Sequence, residues 1–498
     1  MKQYILILLT FFSSTCFSQD KAEFLTKAEV EKDLAFLHEV LQGQSSYQGL
    51  NGYDYQKDFQ KFVREIDGQQ ISKFDFGLYL AKTVGRIGDR HSYIKDYEMR
   101  DSLYFPLGFA PFEDKVLVVD YILDRKKYTL WDAEYPYLKS VNNIPIQEII
   151  PQILPGEILA PKTSYFTNAV RELRDIELVF RTLNQDLPNP IPIVLTNEQG
   201  TNKEFMINLV KGKQKARIWD ERFYSGAFGL KEEQYNDTAV ISKFFSMKSN
   251  IAYIQIADMI DKESCPVFFN YLQDFMSKAK QSQALIIDVR DNGGGTRDLI
   301  QELAGHFIHP DSVYVVNAVK QRGKLPLSKQ LKEGLHSRFL FSKNELDRRE
   351  KKAVDVFSRS FKPMYDLDSN TFSEYFYYIL NGQKLTKGKS QYKKPIYILA
   401  NERTFSAASV LVSVLKGLPN IKIVGVNTDG SSGNSESFKL PNSKLRGKIS
   451  TMVSYQKDGR ILDGIGTKPD VVIERSLNQI FLKEDHQLKR LLEIAKEQ

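Results

Sequence analysis

The chain has 498 residues, of which 42% are hydrophobic and 26% charged, with a formal net charge of +7. Such a composition belongs to a globular chain of about three domains and excludes a disordered or low-complexity one. The positive excess is spread thinly, and runs such as KNELDRREKK at 343–352 mix both signs, so no nucleic-acid footprint is present.

The first residues are MKQ, an apolar run at 4–12, then SSTCFS up to Gln19. This pattern predicts a secretory signal over residues 1–18, cut after Ser18. The run is too short for the ~20 residues a membrane-spanning helix needs, so a permanent span is not expected. Cys16 opens a second reading, a lipid anchor, although Ser14 and Thr15 differ from the Leu and Gly or Ala that usually precede a lipidated cysteine. The expected location is periplasmic or extracellular, either free or tethered as a lipoprotein. If Cys16 leaves with the signal, Cys265 is alone and an intramolecular disulfide is impossible.

Over residues 19–102 apolar positions recur three and four apart: Leu34, Leu37, Val40 and Leu41, then Phe59, Phe62, Val63 and Ile66, which predicts amphipathic helices. A third helix, from Phe74 to Ile87, stops at Gly88, so the histidine of GDRHSYI at 88–94 falls just beyond a helix end. Residues 103–215 change to short strands such as KVLVV at 115–119 and PIPIVL at 190–195, a separate small β-rich domain. From 216 to 498, apolar strands at 251–256, 284–289, 395–400 and 421–426 alternate with helical stretches, the pattern of an α/β layer structure. Residues 310–392, charged and aromatic, read as an insertion into it.

Three motifs carry chemistry. DVRDNGGG at 288–295 follows a buried strand, and consecutive glycines there expose backbone N–H groups to a ligand; a plain Gly-rich turn is the alternative. NERTFSAASVLVSVL at 401–415 places Ser406 at a strand-to-helix turn, where the N–H of Ala407 and the helix dipole stabilise negative charge; a simple helix cap is the alternative. Thr404 and Ser409 are neighbouring hydroxyls. ILDGIGTKPDVVI at 461–473 holds Asp463, able to orient a histidine, and Asp470, expected to cap a turn. His306 and His309 share a helix spacing but lack a third ligand or an HExxH string, so they read as structural and no metal is expected.

Taken in order, these motifs resemble the C-terminal processing (tail-specific) peptidases and the related tricorn-core peptidases. The resemblance implies a crotonase-like (ClpP/crotonase) α/β catalytic domain behind a helical region and a PDZ-like domain. PYLKSVNNIPIQEII at 136–150 is similar to a PDZ segment, and PLGF at 106–109 to the PDZ carboxylate-binding loop, which implies that Leu107, Gly108 and Phe109 hold substrate. Pro106 lacks one of the donors such a loop uses. The resemblance places the nucleophile at Ser406 and the oxyanion donors at the N–H groups of Gly294 and Ala407. The processing branch has a lysine in a T-x-G-K string, but this chain reads TDGSSG at 428–433, with Ser431 in the lysine position. The tricorn-like branch implies a histidine base, His91, and an acid at Asp463, where that branch usually has the longer Glu.

A serine hydroxyl needs an adjacent proton acceptor near neutral pH, and imidazole titrates in the useful range. The expected function is therefore a serine endopeptidase acting on peptides or proteins through an acyl-enzyme, with no cofactor; the sequence leaves the oligomeric state open. A non-catalytic binder of peptides or apolar ligands on the same fold is the first rival. Acyl-CoA chemistry of the crotonase type is the second, and secretion opposes it.

Overall fold

The computed structural model describes residues 24–497 apart from 67, 69, 99–101 and 154–159. The expected signal segment and Cys16 lie outside the described residues. No helix among the described residues is long and apolar enough to cross a membrane.

Three helices open the described chain: Lys27–Gln44, Tyr55–Glu65 and Lys73–Ile87. Each begins on a side-chain cap, from Thr26, Asp54 and Ser72 respectively. Gly88 ends the third with φ of 113°, a left-handed cap for which glycine carries no Cβ penalty. The helices do not form a core of their own. Leu34, Leu37, Phe76 and Leu80 pack together with Leu440, Leu445, Ile449, Val453 and Tyr455 from near the other end of the chain. Buried Asp33 fixes this union by accepting the backbone N–H groups of Asn442 and Ser443, both at 2.8 Å. The short strand Tyr93–Lys95 then pairs antiparallel with Arg446–Ser450, Ile94 opposite Gly447. That pairing carries His91 to the C-terminal half of the molecule.

The β-rich unit is an antiparallel sheet in the order Asn202–Ile207, Ile191–Thr196, Tyr137–Val141, Lys115–Ile122, Gly108–Phe112. One face buries Phe105, Val118, Leu138 and Ile193 against the helices Ile146–Ile153, Lys162–Glu172 and Ile176–Thr182. The other face buries Leu117, Val119 and Tyr128 under Trp219, Ile480 and Phe481 from outside the unit.

Beyond it lies a six-stranded sheet in the order Phe245–Lys248, Ile251–Gln255, Ala284–Asp288, Ile396–Ala400, Ile421–Gly425, Val471–Val472. All neighbours after the first hairpin are parallel. ALIID and IYILA are buried at every position, as strands covered on both faces must be. Helices Pro266–Ala279, Asp298–Phe307 and Ala407–Leu415 bury apolar faces in the same core. The molecule is thus a mixed α/β protein. The segment expected to be an insertion is woven into a second sheet: Val313–Gln321 pairs with Phe376–Asn381 on one side and with Met452–Tyr455 on the other. Its aromatic YFYYIL run is an inner strand of that sheet, which explains an apolar density that periodicity alone left unassigned. Buried His306 meets the carbonyl of Ser390 through Nδ1 at 2.8 Å, and His309 is exposed at a turn.

Candidate active site

Two neighbouring parallel strands, Ala284–Asp288 and Ile396–Ala400, run side by side with Asp288 opposite Leu399. Their carboxyl ends lead into the glycine run and the serine turn respectively, the end of a parallel sheet where ligands are commonly held. The Phe405 N–H donates to the Asn292 carbonyl at 2.9 Å, which ties one turn to the other.

Ser406 sits at the head of helix Ala407–Leu415 with φ of 53° and ψ of −125°. A side-chain-bearing residue held there is strained by roughly 1–3 kcal/mol, the condition that lifts a nucleophile off a sheet end. The contacts that hold it are specific. The Ser406 N–H donates to Ser431 Oγ at 3.1 Å, and the Ser406 carbonyl accepts from Val410 at 3.0 Å. Thr404 and Ser409 are fully buried, and Thr404 Oγ1 donates to the Val289 carbonyl, so neither presents a free hydroxyl. Among the three sequence candidates, Ser406 is the one with its hydroxyl beside a base.

The imidazole of His91 places its Nε2 3.3 Å from Ser406 Oγ. Phe405 stacks on the imidazole with ring centroids 4.9 Å apart. The histidine backbone is held from below by Asp89, which is buried and accepts three bonds. These come from the His91 N–H at 2.9 Å, Ser92 Oγ at 2.5 Å and Ser450 Oγ at 2.5 Å. Arg90 turns away to Asp429 at 2.9 Å and to Ser164 at 2.9 Å, linking helix Lys162–Glu172 to the loop after the serine. Thr167 of the same helix donates to Glu402 at 2.8 Å, four residues before the serine.

Asp463 is also buried close by, but both its oxygens are committed. Oδ2 accepts from Tyr47 at 2.7 Å and from Ser432 Oγ at 2.7 Å, and Oδ1 accepts from the Ser432 N–H at 2.8 Å. Burial raises its carboxyl above the ordinary carboxylate range, while the nearby His91 charge pulls it down, Asp89 raises it, and the Tyr47 and Ser432 bonds lower it. Burial and then Asp463 push the Tyr47 phenol well above its ordinary value, so Tyr47 stays a donor. No hydrogen bond joins Asp463 to the His91 ring, whose Nδ1 is buried without a partner among the described residues.

Gly294 approaches Ser406 closely. With φ of 93°, an added Cβ would lie 2.6 Å from Ser406 Cβ and 3.0 Å from the Ala407 nitrogen. Its N–H donates to Asn292 Oδ1 at 2.8 Å, so an oxyanion would have to share that donor. Ala407, the first residue of its helix, has an N–H without a partner in the helix ladder. Leu107 and Phe109 are 4% and 2% exposed, in the core of the β-rich unit, and Gly108 lies beside the carbonyls of Val119 and Arg217. Their side chains face inward, which leaves only backbone for a ligand. Asp470, expected to cap a turn, instead bonds at long range, accepting the N–H of Ile423 on strand Ile421–Gly425 at 2.8 Å and Lys416 Nζ at 2.8 Å.

Sequence reasoning missed Tyr47, Asp89, Asn292, Ser432 and Ser450, which orient the site. Asp89, Asn292 and Ser432 lie inside GDRHSYI, DVRDNGGG and TDGSSG, whereas Tyr47 and Ser450 belong to no such string.

Residues 250–473 match the model of peptidase family S41. A protein of Chlamydia trachomatis serovar D is 33% identical over 98 residues, 19% of this chain and 16% of that one. An uncharacterized protein of Chlamydia muridarum is 28% identical over 92 residues, 18% of this chain, and the match spans only 15% of that relative's length. Mature CPAF is similar in fold over nearly the whole length, with a TM-score of 0.63 at 16% identity, covering 94% of this chain and 97% of that one. Over residues 250–473 the chain is therefore similar to peptidase family S41.

Proposed function

We propose that the chain is an exported endopeptidase that cleaves peptide bonds through an acyl-enzyme on Ser406. The observation that carries this reading is the 3.3 Å approach of His91 Nε2 to a Ser406 hydroxyl held at a strained helix entrance. His91 takes the Ser406 proton as Oγ attacks the substrate carbonyl, then returns it to the leaving amine. Water, deprotonated by the same imidazole, releases the acyl group. The N–H groups of Ala407 and Gly294 receive the oxyanion, with Gly294 dividing its N–H between that oxygen and Asn292. Buried Asp463, where ionised, offsets the imidazolium, and the interaction with His91 acts against the burial that raises its carboxyl.

In this reading the catalytic unit is crotonase-like and residues 103–215 form a PDZ-like domain. Helix Lys162–Glu172 supports a coupling between the two, because Ser164 and Thr167 bond to Asp429 and Glu402 on either side of the serine. The apolar run at 4–12 supports export.

Intact mass after treatment with a fluorophosphonate tests the chemistry. One adduct on the wild type, none on Ser406→Ala and about 10²- to 10⁴-fold slower labelling of His91→Ala are expected. Failure of the native wild-type protein to label would favour a binding protein on the same fold.

A further inference from the structure

The loop that touches the nucleophile continues into an uncovered sheet edge. Ser431 accepts the Ser406 N–H, Ser432 holds Asp463, and an added Cβ on Gly433 would lie 3.8 Å from His91 Nδ1. Two residues later the chain enters strand Ser435–Lys439, the outermost strand of a three-stranded sheet whose order continues through Arg446–Ser450 to Tyr93–Lys95. Its pattern is open, with Glu436, Ser437 and Lys439 exposed.

The antiparallel register says which backbone groups face outward. Ser435 lies opposite Ser450 and Lys439 opposite Arg446. The Thr451 N–H donates to the Asn434 carbonyl at 2.8 Å, and the Leu440 N–H donates to the Leu445 carbonyl at 2.9 Å. Both bonds belong to even-numbered positions of this strand. In an antiparallel ladder bonded and non-bonded pairs alternate, so Glu436 and Phe438 bond inward while Ser435, Ser437 and Lys439 turn N–H and C=O to the free side. From Ser431 to Ser435 an extended chain reaches at most about 14 Å, the span of roughly four substrate residues.

We propose that the substrate polypeptide binds in extended form as an added strand on Ser435–Lys439, which feeds its scissile bond to Ser406. The inference rests on the peptidase reading and deepens it, since it names the recognised group as the main chain of an unfolded or tail segment. An occupant bound by its backbone gains affinity from alternate hydrogen bonds and little from side-chain identity. The charged Glu436 and Lys439 disfavour edge-to-edge pairing with a second copy, the standing hazard of such a strand.

Proline at position 437 removes one outward N–H and leaves the inward ladder intact, the placement that proline tolerates on edge strands. With the full chain and β-casein as an unfolded probe, Ser437→Pro should lower kcat/KM about tenfold or more, mostly through KM, and Ser437→Ala should not. Fluorophosphonate labelling of Ser406 needs no added strand and should stay within about twofold of wild type, which separates loss of the docking edge from loss of the chemistry. Unchanged casein cleavage by Ser437→Pro with labelling intact overturns the proposal, as does a change that tracks dissociation of a dimer. Should Ser437→Pro lose labelling as well, an N-methyl scan of a casein peptide cut by the wild type decides. Inhibition at every second residue supports the added strand, and inhibition without that period overturns it.

Discussion

The hydroxyl of Tyr47, on the loop after the first helix, donates to Oδ2 of Asp463 at 2.7 Å across 416 residues of sequence. It joins the N-terminal helices to the acid of the site, and with Ser432 it opposes the burial that raises the Asp463 carboxyl.

Tyr47→Phe removes that donor, so the Asp463 carboxyl rises further above the ordinary range. The sign follows: a raised carboxyl is neutral below its folded-state value, and the stability this neutral form contributes is lost as pH rises through that value. At pH 7 the variant should lose about 2 kcal/mol in urea unfolding, the scale of a hydrogen bond to a charged group. Its kcat/KM should also begin to fall at a higher pH than in the wild type, because in the proposed mechanism it is ionised Asp463 that offsets imidazolium. An acid limb that does not move would remove Asp463 from the proton inventory of the reaction.

Ser406→Gly tests the strain at the nucleophile. The backbone at φ of 53° and ψ of −125° is disfavoured for serine and open to glycine. The variant should be more stable than the wild type by roughly 1 kcal/mol, seen as a raised Tm, while labelling disappears. Equal or lower stability would mean that the bonds to Ser431 and Val410, not the backbone, set the local energy.

Much of this arrangement was legible because it is local. The strand before DVRDNGGG, the helix after Ser406 and the glycine stop before His91 follow from apolar periodicity and cap residues, and each was found within a few positions. The resemblance to tricorn-like peptidases carried His91, since no local rule links a residue just past a helix to a serine 315 residues away. What stayed hidden depends on long-range pairing. The weave of Val313–Gln321 with Met452–Tyr455 and the orienting bonds of Tyr47 and Ser450 join segments whose own patterns are silent about each other. Leu107 and Phe109 place their side chains in the core, a packing that a four-residue string does not distinguish from a loop that binds through its backbone.

Gly294→Ala asks whether the glycine run serves the reaction or only the turn. The methyl group would stand 2.6 Å from Ser406 Cβ and 3.0 Å from the Ala407 nitrogen, and both neighbours are backbone-anchored atoms that cannot swing aside. Positive φ at 93° adds strain of roughly 1–3 kcal/mol to be read by urea unfolding. Labelling should slow by at least the ~10²- to 10³-fold typical of a lost oxyanion donor, because the methyl group both shifts the serine and covers the pocket where the oxygen would sit. Gly293→Ala is the matched comparison, since its added Cβ meets nothing within 4 Å. It should label at close to the wild-type rate. Slowing of both variants to the same degree would assign the run to turn geometry, whereas loss confined to position 294 places that residue at the reacting carbonyl.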